Sequence, residues 1–210
     1  MSDTSVFRLA GAAVVLVSLF IAIYYRGRAK RRQKRSGRSS QRVSNPLSLR
    51  LTGAAHLLVV VSFLFAPQLL SWSYYTAPNW LRWTGVAGAA VSSLLAGWVL
   101  SALGDNVTRH SGTRQGHTLV THGPYRWVRH PLYTVGIILH LCFTLIASSW
   151  LMLVTLAAVT VALTRRTYEE EKNLLLAFGE KYLLYMERTG KYLPFPTLRQ
   201  TLWSHSDRPG

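Results

Sequence analysis

PLYTVGIILHLCFTLIASSWLMLVTLAAVTVAL, residues 131–163, contains no Asp, Glu, Lys or Arg. As one helix this run would extend roughly 50 Å, far more than the ~30 Å of a hydrocarbon core. It therefore has to fold back on itself. The small polar pair Ser148-Ser149, followed by Trp150, marks the turn. Two short antiparallel helices result, and the second can continue through Arg165 and Arg166 into the acidic segment beyond.

Outward from this hairpin, three further apolar stretches have spanning length: Val6–Tyr25, apolar except for Arg8; Leu51–Ser71, containing His56 and Pro67; and Trp80–Leu103. The first is long, is followed by basic residues and lacks a small-residue cleavage site, which favours an anchor over a cleaved leader. Trp72, Tyr74, Tyr75 and Trp80 cluster between the second and third stretches as an aromatic belt at one membrane face. The expected fold is an all-α integral membrane protein of about five transmembrane helices with a C-terminal, cytosol-facing catalytic segment. Residues 1–104 form the N-terminal membrane region, 105–195 the core that carries the chemistry, and 196–210 a polar tail.

Composition agrees with this class. The chain is 49% hydrophobic, yet carries 24 Lys+Arg against 8 Asp+Glu, too oily and too basic for an ordinary soluble domain. The single cysteine, Cys142, lies in an apolar run, which removes a disulfide framework or a cysteine-based zinc site. No metal is expected. The net charge of +16 raises nucleic acid and anionic lipid as partners, and placement decides between them. Residues 26–50 hold ten Lys/Arg and no acid, whereas Trp72–Asn79 and the Ser148 turn hold no charge. The positive-inside rule then puts the N-terminus outside and residues 26–50, 104–129 and 165–210 in the cytoplasm, which places 22 of the 24 basic residues there. At a juxtamembrane position the tract RGRAKRRQKR, residues 26–35, reads as topology and anionic-lipid attraction, with no nucleic acid implied.

Two polar constellations flank the hairpin. HTLVTHGPYRWVRHPLY, residues 117–133, leads into the fourth span, with Pro131 suited to a first helical turn. Arg129 and His130 then stand at a helix N-terminus, where free N–H groups and the macrodipole favour an anion or carboxylate. The plainer alternative is an Arg129 that snorkels to phosphate and a His130 that only caps. RRTYEEEKNLLLAFGEKYLLY, residues 165–185, sets Arg166 one turn before Glu170 and Glu169. Carboxylates beside hydrocarbon are costly unless paired, so a plain intrahelical salt bridge is the competing account. Leu174, Leu175, Phe178, Tyr182 and Tyr185 recur at roughly helical spacing, as for packing on a membrane surface or a neighbouring helix, and Gly179 is placed to end or kink that helix.

Together with TGKYLPF, residues 189–195, these segments resemble the isoprenylcysteine carboxyl methyltransferase family and its prokaryotic relatives, over roughly residues 105–195. The resemblance implies S-adenosyl-L-methionine as cofactor, with His117, Thr118, Leu119, Val120, Tyr125, His130, Pro131, Leu132 and Tyr133 lining its site. It implies that Glu170 holds the cofactor, that His110 lies near a further polar contact, and that Arg166 faces the methyl acceptor; Arg166 and His130 are the catalytic candidates. A membrane-borne carboxylate, such as a prenylcysteine-like or lipid acid, would need no general base, being ionised near neutrality. An amine or thiol acceptor would need one, from His122 or His130. A sterol-reductase-like, nicotinamide-dependent membrane enzyme is the rival, opposed by the pairing of Arg-His-Pro-x-Tyr with Glu-Glu; a non-enzymatic membrane module is the bland alternative. No glycine-rich strand-to-helix turn suggests a soluble nucleotide fold.

The topology has a direct check. With Cys142 replaced by Ala, Ser39→Cys should be shielded from an impermeant thiol reagent in intact cells; ready labelling would reverse the orientation.

Overall fold

A computed structural model describes residues 3–35, 46–104 and 119–195. The expected cofactor contacts His110, His117 and Thr118 lie outside the described residues. The described chain forms six α-helices: α1 (Asp3–Arg35), α2 (Leu47–Phe65), α3 (Asn79–Leu103), α4 (Pro131–Ala147), α5 (Trp150–Phe178) and α6 (Glu180–Arg188). Short 3₁₀ turns cover Pro67–Ser73 and Gly123–Arg126.

The expected boundaries shift for local reasons. Helix α1 runs past Tyr25 to Arg35, because Arg and Lys are good helix formers once the chain has left hydrocarbon. Helix α2 stops at Phe65, short of the expected Ser71, since Pro67 lacks an N–H and the chain tightens into the 3₁₀ turn. Thr4–Arg32, α2, α3 and α5 are long and apolar enough to cross a membrane by length and composition. Helix α4 has 17 residues and is shorter, about 25 Å in length. The five expected spans thus resolve into four helices of full length and one at the lower limit for crossing.

The hairpin turn falls where the small polar pair stands. Ser148 adopts φ 53, ψ 47 and donates its N–H to Thr144 O at 2.9 Å, closing α4. Ser149 begins α5, its hydroxyl accepting from the Met152 N–H at 3.4 Å and pairing with Ser73 Oγ at 2.9 Å. The aromatic belt gathers at the same end: Tyr75 N–H donates to Ser148 O at 2.9 Å, and Trp72 meets Trp150 edge-on with centroids 5.0 Å apart.

Helices α3 and α4 make the most extensive contact, followed by α1–α3 and α2–α5. Small residues permit it. A Cβ on Gly85 would lie 2.8 Å from the Cys142 carbonyl oxygen, and one on Gly88 2.7 Å from Cys142 Sγ. Ala89, Ser92 and Ser93 carry that small, buried face along α3, and Ser93 Oγ reaches Ser18 Oγ of α1 at 2.8 Å. Where lipid removes any hydrophobic preference for helix over solvent, close backbone approach of this kind supplies the packing energy. In the interior His56 of α2 binds Thr155 of α5 through Nδ1 at 2.8 Å, and its ring lies 5.0 Å from that of His140.

Arg8 and Arg82, the two basic residues outside the charged segments, both serve helix ends. Arg8 donates twice to Leu64 O, at 3.1 and 2.6 Å, near the end of α2. Arg82 donates from Nε to Ile146 O at 3.0 Å near the end of α4, with its guanidinium 3.9 Å above the Phe7 ring. Terminal carbonyls carry the negative end of the helix dipole, so each arginine meets a charge complement there.

Gly85→Val should destabilise the fold by roughly 1–3 kcal/mol, an overpacking cost against a carbonyl that cannot withdraw. Gly53→Ala, where an added Cβ meets nothing within 4 Å, should leave stability unchanged or raise it by up to about 1 kcal/mol. Thermal unfolding of the two variants in the same detergent makes the comparison.

Candidate functional site

At the opposite end of the hairpin, the start of α4, the late turns of α5 and the chain after α6 converge. Pro131 occupies the first turn of α4 as expected, with His130 at the N-cap position. The His130 side chain makes no capping bond. Its ring turns instead toward α5, with Nε2 3.2 Å from Glu171 Oε1 and Nδ1 4.0 Å from Glu170 Oε2. One imidazole therefore hydrogen-bonds Glu171 and stands close to the preceding glutamate.

Those glutamates have different surroundings. Glu170 accepts from Arg166 Nε at 2.8 Å and from the Tyr133 hydroxyl at 2.9 Å. The intrahelical Arg166–Glu170 pair of the plainer reading is thus present, and Tyr133 joins it from α4. Glu171 is buried at the centre of a denser group: Arg129 Nε donates to Oε1 at 2.9 Å and Lys191 Nζ lies 2.9 Å from Oε2, beside the His130 contact. Glu169 is exposed. One turn of helix therefore presents a carboxylate to solvent, one committed to three cationic or imidazole partners, and one, Glu170, facing Tyr133 and Arg166.

Arg129 departs from both readings of its sequence position. It neither snorkels nor waits for an anion, but is 6% exposed. Besides Glu171 it donates from Nη1 to Met186 O at 3.0 Å and to Thr189 O, so that it caps the C-terminal end of α6. The N–H groups of Arg129 and His130, expected to be free for an anion, are also taken. They donate to Gly190 O at 2.8 Å and Lys191 O at 3.1 Å, while Gly190 N–H returns a bond to Trp127 O at 3.0 Å. The segment Thr189–Tyr192 is thereby laced along the start of α4. Gly190 has no alternative there, since an added Cβ would collide with the Leu193 carbonyl oxygen.

The remaining expected residues divide between this polar group and an apolar wall. Leu119 is half-buried; Val120 and Leu132, also half-buried, pack against Val99, Tyr125 and Val135. Tyr125 is buried, and its carbonyl accepts from the Tyr185 hydroxyl of α6 at 2.7 Å. Burial above all, with Tyr185 and Glu170 adding to it, pushes the Tyr125 hydroxyl above its ordinary range; burial likewise raises Tyr182 and Tyr185. All three remain protonated at neutral pH. Gly179, with φ 53, separates α5 from α6 as its placement suggested. His122 is exposed. Sequence reasoning gave no role to Glu171, Lys191 or Tyr192; the available signals were the second half of the Glu-Glu pair, which a helix points about 100° away from the first, and the TGKYLPF segment that holds Lys191 and Tyr192.

Comparison with known proteins bears on this arrangement. Residues 83–176, from α3 through most of α5, match the isoprenylcysteine carboxyl methyltransferase family. The human protein-S-isoprenylcysteine O-methyltransferase is 32% identical over 173 residues, covering 73% of this chain and 58% of the relative. These matches support the resemblance to the isoprenylcysteine carboxyl methyltransferase family. The mouse member is 33% identical over 171 residues with the same coverage. The solved structure of the eukaryotic intramembrane Ras methyltransferase of this family superposes with a TM-score of 0.53 at 24% identity, covering 73% of this chain and 55% of that one, which shows a shared fold. The chain spans less than two thirds of the length of these family members. Family and apolar helices together make it an integral, multi-pass membrane protein.

Removing the Glu171 charge leaves Arg129 buried without its carboxylate. Glu171→Gln should cost about 3 kcal/mol of stability. It should also speed tryptic cleavage after Lys191, whose ion pair is lost, whereas Glu169→Gln at the exposed position should change neither quantity.

Proposed function

We propose that this chain is an S-adenosylmethionine-dependent methyltransferase acting on a membrane-borne carboxylate of the prenylcysteine or lipid-acid type, with its site facing the cytoplasm. One observation carries the reading: Arg166 and Glu170 of α5 meet Tyr133 and His130 of α4 in a single group where two apolar helices end. The donor set suits the cofactor. Glu170 is the one buried-side glutamate not consumed by the Arg129–Lys191 group, and a carboxylate is the natural partner for an amino group. Val120, Tyr125 and Leu132 offer an apolar wall beside it, and buried Tyr125 keeps its proton as a donor. The match of residues 83–176 to the methyltransferase family supports the same reaction class.

When bound, the cofactor supplies an electrophilic methyl group on a sulfonium. The protein's task is then alignment and exclusion of water more than acid–base chemistry. Glu170 binds and orients the donor's amino group. Tyr133, hydrogen-bonded to Glu170, fixes that carboxylate from the facing helix, while His130 packs parallel to the Tyr133 ring at 5.8 Å. Arg166 orients the acceptor: it is buried and lies one turn nearer the apolar part of α5 than Glu170, where a bilayer-borne substrate arrives. Its planar fork matches a carboxylate, and the acceptor needs no base because it is already ionised.

Glu170→Gln should weaken S-adenosylhomocysteine binding by about 1–3 kcal/mol, the worth of a charge-assisted hydrogen bond. Arg166→Lys should keep cofactor affinity while losing methyl transfer to a farnesylcysteine analogue. Unchanged affinity in the first variant, or full turnover in the second, would return the pair to a purely structural salt bridge.

A further inference from the structure

We propose that Tyr192 is a further residue of the transfer site, its ring supplying an aromatic face to the sulfonium cation of the methyl donor. The inference rests on the methyltransferase reading above and adds to it a residue of the TGKYLPF segment, residues 189–195, to which that reading gave no role. Tyr192 lies on the closing segment and is tied to both helices of the site. Its carbonyl accepts from Thr134 Oγ1 of α4 at 2.9 Å, and its hydroxyl is bonded to Thr167 Oγ1 of α5, next in sequence to Arg166. Because Thr167 donates its own proton to Thr164 O at 2.8 Å, the Tyr192 hydroxyl is the donor in that bond. The ring is thus stretched between α4 and α5 beside the residues proposed to bind donor and acceptor.

Its neighbours make an aromatic series. The His130 ring lies 6.0 Å from Tyr192 at a 42° tilt and 5.8 Å from Tyr133 at 17°. Tyr133 lies nearly parallel to His130, with its hydroxyl committed to Glu170, whereas Tyr192 is tilted and half-buried. Among the described residues, the cation recorded over the Tyr192 ring is Lys191 Nζ at 5.8 Å, which sits at the outer limit for an attraction to the ring and is held 2.9 Å from Glu171.

Sulfonium chemistry explains why a ring is needed. The charge is fixed and carries no N–H or O–H, so no conventional hydrogen bond recognises it. Glu171 is committed to Arg129 and Lys191, and half-buried Glu170, beside Arg166 and Tyr133, is the group proposed for the donor's amino end. A ring quadrupole attracts such a cation without demanding a proton, and does so best where water is excluded. The product of transfer is a neutral thioether, for which the same face has no electrostatic preference. Tyr192 therefore favours the charged donor over the spent one.

The test compares S-adenosylmethionine with S-adenosylhomocysteine as ligands of the full-length protein. Tyr192→Leu should weaken the methionine form roughly tenfold, as expected for a partly desolvated cation–π contact, and the homocysteine form less than about twofold. Tyr192→Phe, which keeps the ring and drops the Thr167 bond, should hold both affinities within about twofold of the parent. If Tyr192→Leu does not fold, Tyr192→Met supplies similar bulk without a quadrupole and should show the same selective loss. Equal weakening of both ligands by Leu or Met, or a Phe variant as weak as Leu, would overturn the role of the ring. Failure of the parent protein to bind either ligand would instead overturn the methyltransferase reading itself.

Discussion

The carboxylate of Glu171 stands where three separated parts of the chain cross, and the local structure around the site depends on it. Arg129 and His130 arrive from the segment before α4, Lys191 from the chain after α6, and Glu171 itself from a late turn of α5. A buried arginine next to hydrocarbon is costly unless its charge is met and its donors are used. Here the guanidinium is satisfied by Glu171 and by the last carbonyls of α6, which simultaneously disposes of a helix end. Lys191 brings the closing segment against α4, where backbone bonds from Arg129 and His130 hold it. Because these contacts share partners, loss of the central carboxylate should be felt in all three segments rather than in one.

That anchoring frees its neighbour. Glu170 and Glu171 differ by one step along a helix, about 100°, which is enough to aim them at different sides of the His130 ring. Glu171 is consumed by structure, while Glu170 faces Tyr133 and Arg166 at the end of the apolar stretch. A division of labour between adjacent carboxylates is one way to set a charged binding group beside a membrane: one neutralises the scaffold's cations, and the other stays available to a ligand.

At the other end of the molecule two arginines are set against helix ends. Arg8 donates to the Leu64 carbonyl of α2 and Arg82 to the Ile146 carbonyl of α4. Glycine at positions 85 and 88 lets α3 and α4 approach to backbone contact, so the hairpin that carries His130 and Tyr133 is seated on α3 by close packing together with the Arg82–Ile146 hydrogen bond.

The hairpin over residues 131–163, its turn at Ser148-Ser149, the start of α4 at Pro131 and the break at Gly179 could all be read from the sequence, because each follows from the length of an apolar run or from the backbone limits of proline and glycine. The pairing of Arg166 with Glu170 was legible for a similar reason: it is fixed by helical spacing alone. The end of α1 and the early stop of α2 were not, since hydropathy does not mark where a helix leaves the bilayer or tightens before a proline. The partners of Glu171 lie 42 and 41 residues before it, in Arg129 and His130, and a further one follows in Lys191. No local periodicity encodes such contacts. Sequence by itself determined the membrane class, the hairpin and the short-range pairs, whereas only the tertiary structure decided which of two adjacent glutamates holds the scaffold and which faces the site, because that choice is made by where distant segments bring their charges.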